Sequence, residues 1–122
     1  MSVTTIIPIP PSINEMYRSR ARVYKTEKAA GYEQVVAEKI DEIVQQIPPP
    51  PWDITFWFYF PTKRRRDVDG PIKAGLDAVT RALNVDDSNV MDLHAFKRLS
   101  RKHPRCEVVI ATSTATMDDD HE

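Results

Sequence analysis

Apolar residues form four segments with the two-residue period of a strand or a dense β-branched composition. The clearest is residues 52–60, WDITFWFYF, in which every second residue from Trp52 to Phe60 falls on one face. Trp57 and Tyr59 fall on the other face, so we expect both faces of this strand to be covered. The other predicted strands are residues 2–9, 90–99 and 105–112, the last two joined by the basic turn SRKHP.

Two segments repeat apolar residues at intervals of three and four and therefore predict amphipathic helices. The first covers residues 26–47, with Thr26 as its N-cap, and ends at the four prolines that follow. Its apolar stripe comprises Tyr32, Val35, Val36, Ile40, Ile43, Val44 and Ile47. The second covers residues 69–83, with Pro71 in its first turn.

The order of these elements predicts an α+β (mixed α/β) domain, a single small sheet with two helices packed on it in the order β-α-β-α-β-β. Residues 10–25 contain prolines and turn formers but no helical period, so we expect an ordered loop there. The domain is expected to span residues 1–112. Residues 113–122 form an acidic C-terminal segment that we expect to be flexible.

Charge is distributed unevenly, although the 122-residue chain has a net charge of only −1. Residues 118–122 carry four of the eighteen acids and no base; without them, seventeen bases face fourteen acids. The bases lie in three clusters, which suit a phosphate backbone or an ordinary solvated face. One cysteine excludes an intrachain disulfide, and no run of eighteen apolar residues indicates a membrane span. We therefore expect a protein that acts in the cytoplasm.

The segment KRRRDVDGPIKAGLD, residues 63–77, brings four consecutive bases up to a pair of carboxylates. Repulsion between Asp67 and Asp69 favours a cation between them, and Mg²⁺ prefers carboxylates, water and phosphate oxygens. Lys73 lies one turn after Asp69 on the same face of the predicted helix. The alternatives are turn-forming or helix-capping aspartates and a surface ion pair between Asp69 and Lys73.

A second acidic element, Asp86 and Asp87, follows the second helix. Taken alone it is a turn; taken with the first pair, it supplies the third carboxylate that a hydrolytic metal site needs. Together, three motifs resemble the RusA-type Holliday-junction resolvases. They are PPSINEMYR at 10–18, RRRDVDGPIKAGLDAV at 64–79 and DDSNV at 86–90.

The resemblance implies an endodeoxyribonuclease that uses Mg²⁺, with Mn²⁺ as a substitute, to resolve four-way DNA junctions by paired symmetric hydrolysis. It implies a homodimer, bacterial or phage-encoded and cytoplasmic, whose partner is branched DNA rather than a membrane or a small molecule. The implied catalytic residues are Asp67, Asp69, Lys73 and Asp87, and the three aspartates are the implied metal ligands. The residues expected to bind DNA are Arg18, Arg20, Arg22, Lys63, Arg64, Arg65 and Arg66.

One departure from the family pattern keeps a second interpretation open. The family usually has asparagine after the second aspartate, where this chain has Gly70. If that amide orients a carboxylate, the chain is a weak or inactive binder of branched DNA. A sugar-nucleotide transferase also uses a D-x-D pair, but 122 residues leave little room for its nucleotide-binding domain. A partner-binding role for the four prolines lacks flanking specificity residues.

Overall fold

The computed structural model describes residues 1–12, 17–19, 23–115 and 117, with the backbone alone for 17–19 and 23–25. Its main sheet has four strands, which we label β1, β4, β5 and β6 in chain order. The short strands β2 (Tyr17–Ser19) and β3 (Val23–Lys25) pair with each other in a separate antiparallel ribbon. The segment predicted as a loop therefore contains a hairpin, because strands of three residues are too short to show a period.

The main sheet is mixed, in the order β1-β6-β4-β5. β1 (Ser2–Ile7) and β4 (Trp52–Phe60) both pair antiparallel with β6 (Arg105–Thr112). β5 (Val90–Leu99) pairs only with β4, in parallel, from Trp52↔Val90 to Phe60↔Leu99. Although β5 and β6 are consecutive in the chain, β4 lies between them. A parallel pair needs a crossover connection, and the second helix supplies it.

Both predicted helices are present, so the α+β prediction is confirmed. α1 spans Glu27–Ile43 and continues as one 3₁₀ turn, Val44–Gln46. Thr26 is its N-cap, since its hydroxyl accepts a hydrogen bond from the Ala29 N–H at 3.3 Å. α2 spans Asp69–Leu83 and ends at Asn84, whose left-handed conformation (φ 55°) asparagine tolerates.

The core lies between the two helices and one face of the sheet. The five alternate residues of β4 predicted to share a face are all buried there, with Phe56 and Phe58 fully enclosed. Tyr32, Val36 and Ile40 of α1 are buried as predicted, but Val35 and Val44 are exposed, so the stripe is narrower than expected. The spacing of apolar residues alone does not distinguish the edge of the apolar stripe, which is exposed, from its buried centre.

The opposite face of the sheet, which we call the outer face, has no helix over it in the described part of the chain. Trp57 stacks on Phe96 of the neighbouring strand, with ring centroids 4.2 Å apart, and Arg98 lies over the Trp57 ring at 5.1 Å. Arg105 covers the ring of Tyr59 at 4.0 Å. In the described part of the chain, the expected cover thus comes from neighbouring side chains of the sheet, and Trp57 and Tyr59 are half-buried.

Two further predictions concern the ends and surface of the domain. Ser113, at the start of the predicted flexible segment, is buried and donates its hydroxyl hydrogen bond to Asp92. Residues 118–122 lie outside the described residues, so the flexibility of that segment stays a prediction. Among the described residues, no helix has the length and apolar character needed to cross a membrane.

Candidate active site

The loop between β4 and α2, residues 61–68, carries the basic run and the first aspartate. Arg66 folds back on this loop: its guanidinium donates hydrogen bonds to the carbonyl oxygens of Thr62 (3.0 Å) and Arg64 (3.2 Å). It also lies 4.6 Å from the centroid of the Phe60 ring. Lys97 Nζ on β5 donates to the Arg66 carbonyl oxygen at 2.7 Å. These contacts attach the loop to the ends of β4 and β5.

Arg64 and Arg65 are exposed on the same loop. Within the described residues, neither guanidinium has a hydrogen-bond or ion-pair partner. Lys63 is exposed as well. The three side chains are therefore available to phosphate oxygens. The Arg66 guanidinium, in contrast, already donates hydrogen bonds to Thr62 and Arg64 of the loop. Arg18, Arg20 and Arg22 lie outside the residues whose side chains are described, so their expected DNA contacts stay predictions.

Asp67 and Asp69 are exposed at the start of α2. Neither caps the helix: the N-cap position is Val68, and no side chain accepts a hydrogen bond from the first turn. Lys73 is exposed one turn further along, and the described residues show no ion pair between it and Asp69. The capping and ion-pair alternatives are thus not formed. Among the residues that the structure describes, two carboxylates and one ammonium therefore remain without a partner.

A cleft of about 990 Å³ opens beside these carboxylates. One wall is the basic loop with Asp67 and Asp69; the facing wall is the first half of α1, including Lys28 and Gly31. Prolines from three segments supply much of the apolar lining. Sequence reasoning did not name Lys28 as a site residue. The available signal was its place in the chain, shortly after the bases Arg18, Arg20, Arg22 and Lys25. Only the packing of α1 against the loop brings it to the cleft.

Asp87 begins the 3₁₀ turn after α2, Asp86 is its N-cap, and the two carboxyl groups have different roles. The Asp86 carboxylate accepts from the Ser88 N–H at 3.0 Å, and this bond lowers its pKa. The pKa of Asp87 is raised, chiefly by its hydrogen bond with Asp86, then by partial desolvation and by the negative charges of Asp86 and Asp77. Asp86 is therefore the turn former that the sequence allowed. Asp87 is an exposed carboxyl among like charges.

The structure does not bring Asp87 to the other predicted catalytic residues within one chain. Asp69 opens α2 and Asp87 follows its end, and a helix of fifteen residues is about 22 Å long. Strand β5 gives a similar separation. Asp87 lies just before its first residue, Val90, whereas Lys97, which contacts the loop at Arg66, lies seven residues further on, about 23 Å along the strand. Among the described residues, no three acidic, histidine or cysteine side chains are grouped to hold a metal ion.

The donor chemistry at the start of α2 nevertheless suits Mg²⁺. This ion commonly binds through one or two carboxylates, completing its shell with waters and substrate phosphates. Asp67 and Asp69 are two exposed carboxylates without another partner in the described chain, and arginines stand beside them. A pair of this kind can hold a hydrated ion at the surface. It leaves a position that a third carboxylate or a phosphate would fill.

Comparison with known proteins gives a consistent result. Residues 8–111 match the family described as Endodeoxyribonuclease RusA. The chain is 35% identical over 107 residues to the crossover junction endodeoxyribonuclease RusA of Escherichia coli K12, covering 85% of this chain and 89% of the relative. The proteins of that name in Enterobacteria phage 82 and Shigella sonnei are 35% and 34% identical over the same shares.

Proposed function

Because this chain belongs to the endodeoxyribonuclease RusA family, we propose that it is an endonuclease that resolves four-way DNA junctions. Its relatives carry the name crossover junction endodeoxyribonuclease. The observation that carries the proposal is the pair Asp67 and Asp69, which are exposed at the edge of a basic cleft and have no partner among the described side chains. Carboxylates available to a metal ion, next to basic side chains that can bind phosphate, suit metal-assisted phosphodiester hydrolysis.

The basic side chains of the cleft would hold the DNA backbone. Arg64 and Arg65 offer planar donor forks that fit two phosphate oxygens each, and Lys28 adds a charge on the opposite wall. Such contacts are independent of base sequence and position the duplex arm. Junction specificity would then come from the geometry of the whole binding surface rather than from the reading of bases.

The metal would be Mg²⁺, held by Asp67 and Asp69; Asp87, the third ligand that the sequence predicts, lies beyond the other end of α2 in the same chain. When bound, it would polarise the scissile phosphate and acidify a water molecule. The chain's own residues would do the rest: arginines fix the flanking phosphates, and Lys73 stabilises negative charge on the phosphoryl oxygens. Attack of water on phosphorus breaks the bond to the 3′ oxygen and leaves a 3′-hydroxyl and a 5′-phosphate.

A second candidate is a weak or inactive binder of branched DNA. Two observations favour it: Gly70 stands where the family usually has asparagine, and Asp87 lies far from Asp67 and Asp69 within one chain. Such a protein would bind junctions without cutting them. We place either activity inside bacterial cells, the source of most of the named relatives.

The test is cleavage of a labelled four-way junction and of a linear duplex with the same arm sequences, in Mg²⁺ and in EDTA. We expect paired symmetric nicks in the junction only, and none in EDTA. Asp69→Asn should abolish cleavage and retain junction binding. The matched control is Asp41→Asn, which removes the same charge from an exposed position near the far end of α1. Full cleavage by Asp69→Asn would refute the site assignment.

A further inference from the structure

We propose that the connection between β5 and β6, residues 100–104, is a further DNA-backbone site, in which Arg101 and Lys102 bind phosphates of the junction arm whose scissile strand lies in the cleft. This inference rests on the proposed function and extends its DNA-binding surface to a segment outside the predicted DNA-binding residues. The segment, which we call the β5–β6 turn, belongs to the third basic cluster of the sequence.

The β5–β6 turn passes over the end of β4. Because β4 lies between the two strands that the turn joins, the turn crosses two strand spacings, about 10 Å. The Ser100 N–H donates to the carbonyl oxygen of Phe60, the last residue of β4, at 2.8 Å. The basic loop of the cleft begins at the next residue. Both basic segments therefore lie at the same end of the sheet and are joined there by a hydrogen bond.

The turn also borders the cleft. Pro104 lines the cleft together with Arg64 and Asp67. Just before the turn, Lys97 Nζ donates to the Arg66 carbonyl oxygen at 2.7 Å. Each DNA strand carries one phosphate per about 3.4 Å of helix axis. A strand whose scissile phosphate lies beside Asp67 therefore presents further phosphates next to the turn.

Hydrogen bonds brace the backbone of the turn. The His103 N–H donates to the Ser100 hydroxyl oxygen at 3.3 Å, and the Arg105 guanidinium donates to the His103 carbonyl oxygen at 3.0 Å. Arg105 is itself held by an ion pair with Glu107 at 2.8 Å and by the ring of Tyr59. A braced turn presents its cations at fixed positions, so less conformational freedom is lost when a ligand binds.

The charge of this segment is not neutralised by the protein. Residues 97–106 contain five arginines and lysines and no acid. Arg101 and Lys102 are exposed, and within the described residues neither side chain has a hydrogen-bond or ion-pair partner. Two adjacent cations without a counter-charge, next to a cleft that is itself basic, form a continuous surface for a phosphate backbone.

The chemistry of the turn fits the DNA backbone better than an acidic protein surface. Specific protein interfaces depend on a few large apolar or aromatic side chains at their centre. The exposed residues of the turn are an arginine, a lysine, a histidine and a proline, Arg101 to Pro104. Contacts to phosphate oxygens use charge and hydrogen bonds and need no apolar anchor.

The first test is the salt dependence of junction binding, measured by fluorescence anisotropy in an Asp69→Asn background so that the DNA stays intact. Combining Arg101→Ala with Lys102→Ala removes two phosphate contacts, each contributing about 0.9 to the slope of log affinity against log salt. The slope should fall by about 1.8, and the affinity at about 0.15 M salt by about 30-fold, with the two proteins converging near about 1 M. The control combines Arg101→Lys with Lys102→Arg, which keeps both charges and should keep the slope. An unchanged slope in the alanine variant would overturn the proposal.

The second test locates the turn on the DNA. Cys106 is the single cysteine of the chain and is buried, so Lys102→Cys adds the one thiol that is exposed in the folded protein. An aryl azide attached to it should crosslink, on illumination, to nucleotides that flank the cleavage position. The same probe on Lys39→Cys, at an exposed position of α1, should give no crosslink. Bound junction without crosslinks at the flanking nucleotides would also contradict the proposal.

The outcomes separate this inference from the proposed function. If wild type binds and cuts junctions but the alanine variant keeps its slope, the turn is a solvated surface and the proposed function stands. If wild type binds junctions without cutting them, the proposed nuclease activity fails, and both tests still decide the role of the turn. If wild type does not bind DNA, both proposals are refuted.

Discussion

The two helical glycines lead to opposite predictions for the same substitution. A Cβ built on Gly75 would lie 3.1 Å from Cε1 of Phe56, with Cζ and Cδ1 at 3.5 and 3.6 Å. Phe56 cannot easily move away, because it is fully buried and stacked on Phe58 at a centroid distance of 5.7 Å. A Cβ built on Gly31 meets no atom of the described residues within 4 Å. Replacement by alanine therefore isolates the close approach of α2 to β4.

The magnitudes follow from two effects. Alanine gains about 1 kcal/mol over glycine in a helix, so Gly31→Ala should raise the free energy of unfolding by about that amount. Gly75→Ala has the same gain, opposed by an overpacking cost of about 1–3 kcal/mol. Its net effect should range from near zero to about 2 kcal/mol of destabilisation. The difference between the variants is the overpacking cost alone.

Urea denaturation followed by far-UV circular dichroism measures both variants under the same conditions. With ordinary m-values, the two midpoints should differ by about 1 M, with Gly31→Ala the higher. The m-values should match that of wild type, which shows that the folded state and not the denatured state has changed. A Gly75→Ala variant as stable as Gly31→Ala, within about 0.5 kcal/mol, would refute the claim that Phe56 limits the space at this position.

Three further predictions address the site and the core. Arg65→Ala should weaken junction binding and reduce the slope of log affinity against log salt by about one, measured by fluorescence anisotropy; Lys39→Ala, on an exposed part of α1, should leave the slope unchanged. Trp52→Phe removes the buried indole N–H that donates to the Pro48 carbonyl oxygen at 2.7 Å, and should lower the free energy of unfolding by about 2–4 kcal/mol in urea titration. Burial, with a smaller effect of the Glu107 charge, raises the pKa of the Cys106 thiol to about 12. It should therefore resist a thiol reagent at neutral pH until urea unfolds the chain, and rapid labelling of the native protein would contradict this.

The local features of the fold follow from the sequence. The two-residue period of WDITFWFYF and the helical spacing of residues 69–83 predicted β4 and α2 with the bounds that the structure shows. Side-chain direction depends on neighbouring backbone dihedral angles, so periodicity is encoded locally. The same holds for the motif around Asp67 and Asp69, whose spacing and basic neighbours are visible in the printed chain.

Arrangement in space was decided by tertiary structure. The sequence left the strand order open, and the parallel crossover through α2 places β4 between β5 and β6. It grouped Arg66 with Arg64 and Arg65, but hydrogen bonds to the loop engage the Arg66 guanidinium. It also united Asp87 with Asp67 and Asp69 in one site, while α2, about 22 Å long, lies between the segments that carry them within a chain. Such relations depend on contacts between residues distant in sequence, and a pattern with a period of two to four residues carries no information about them.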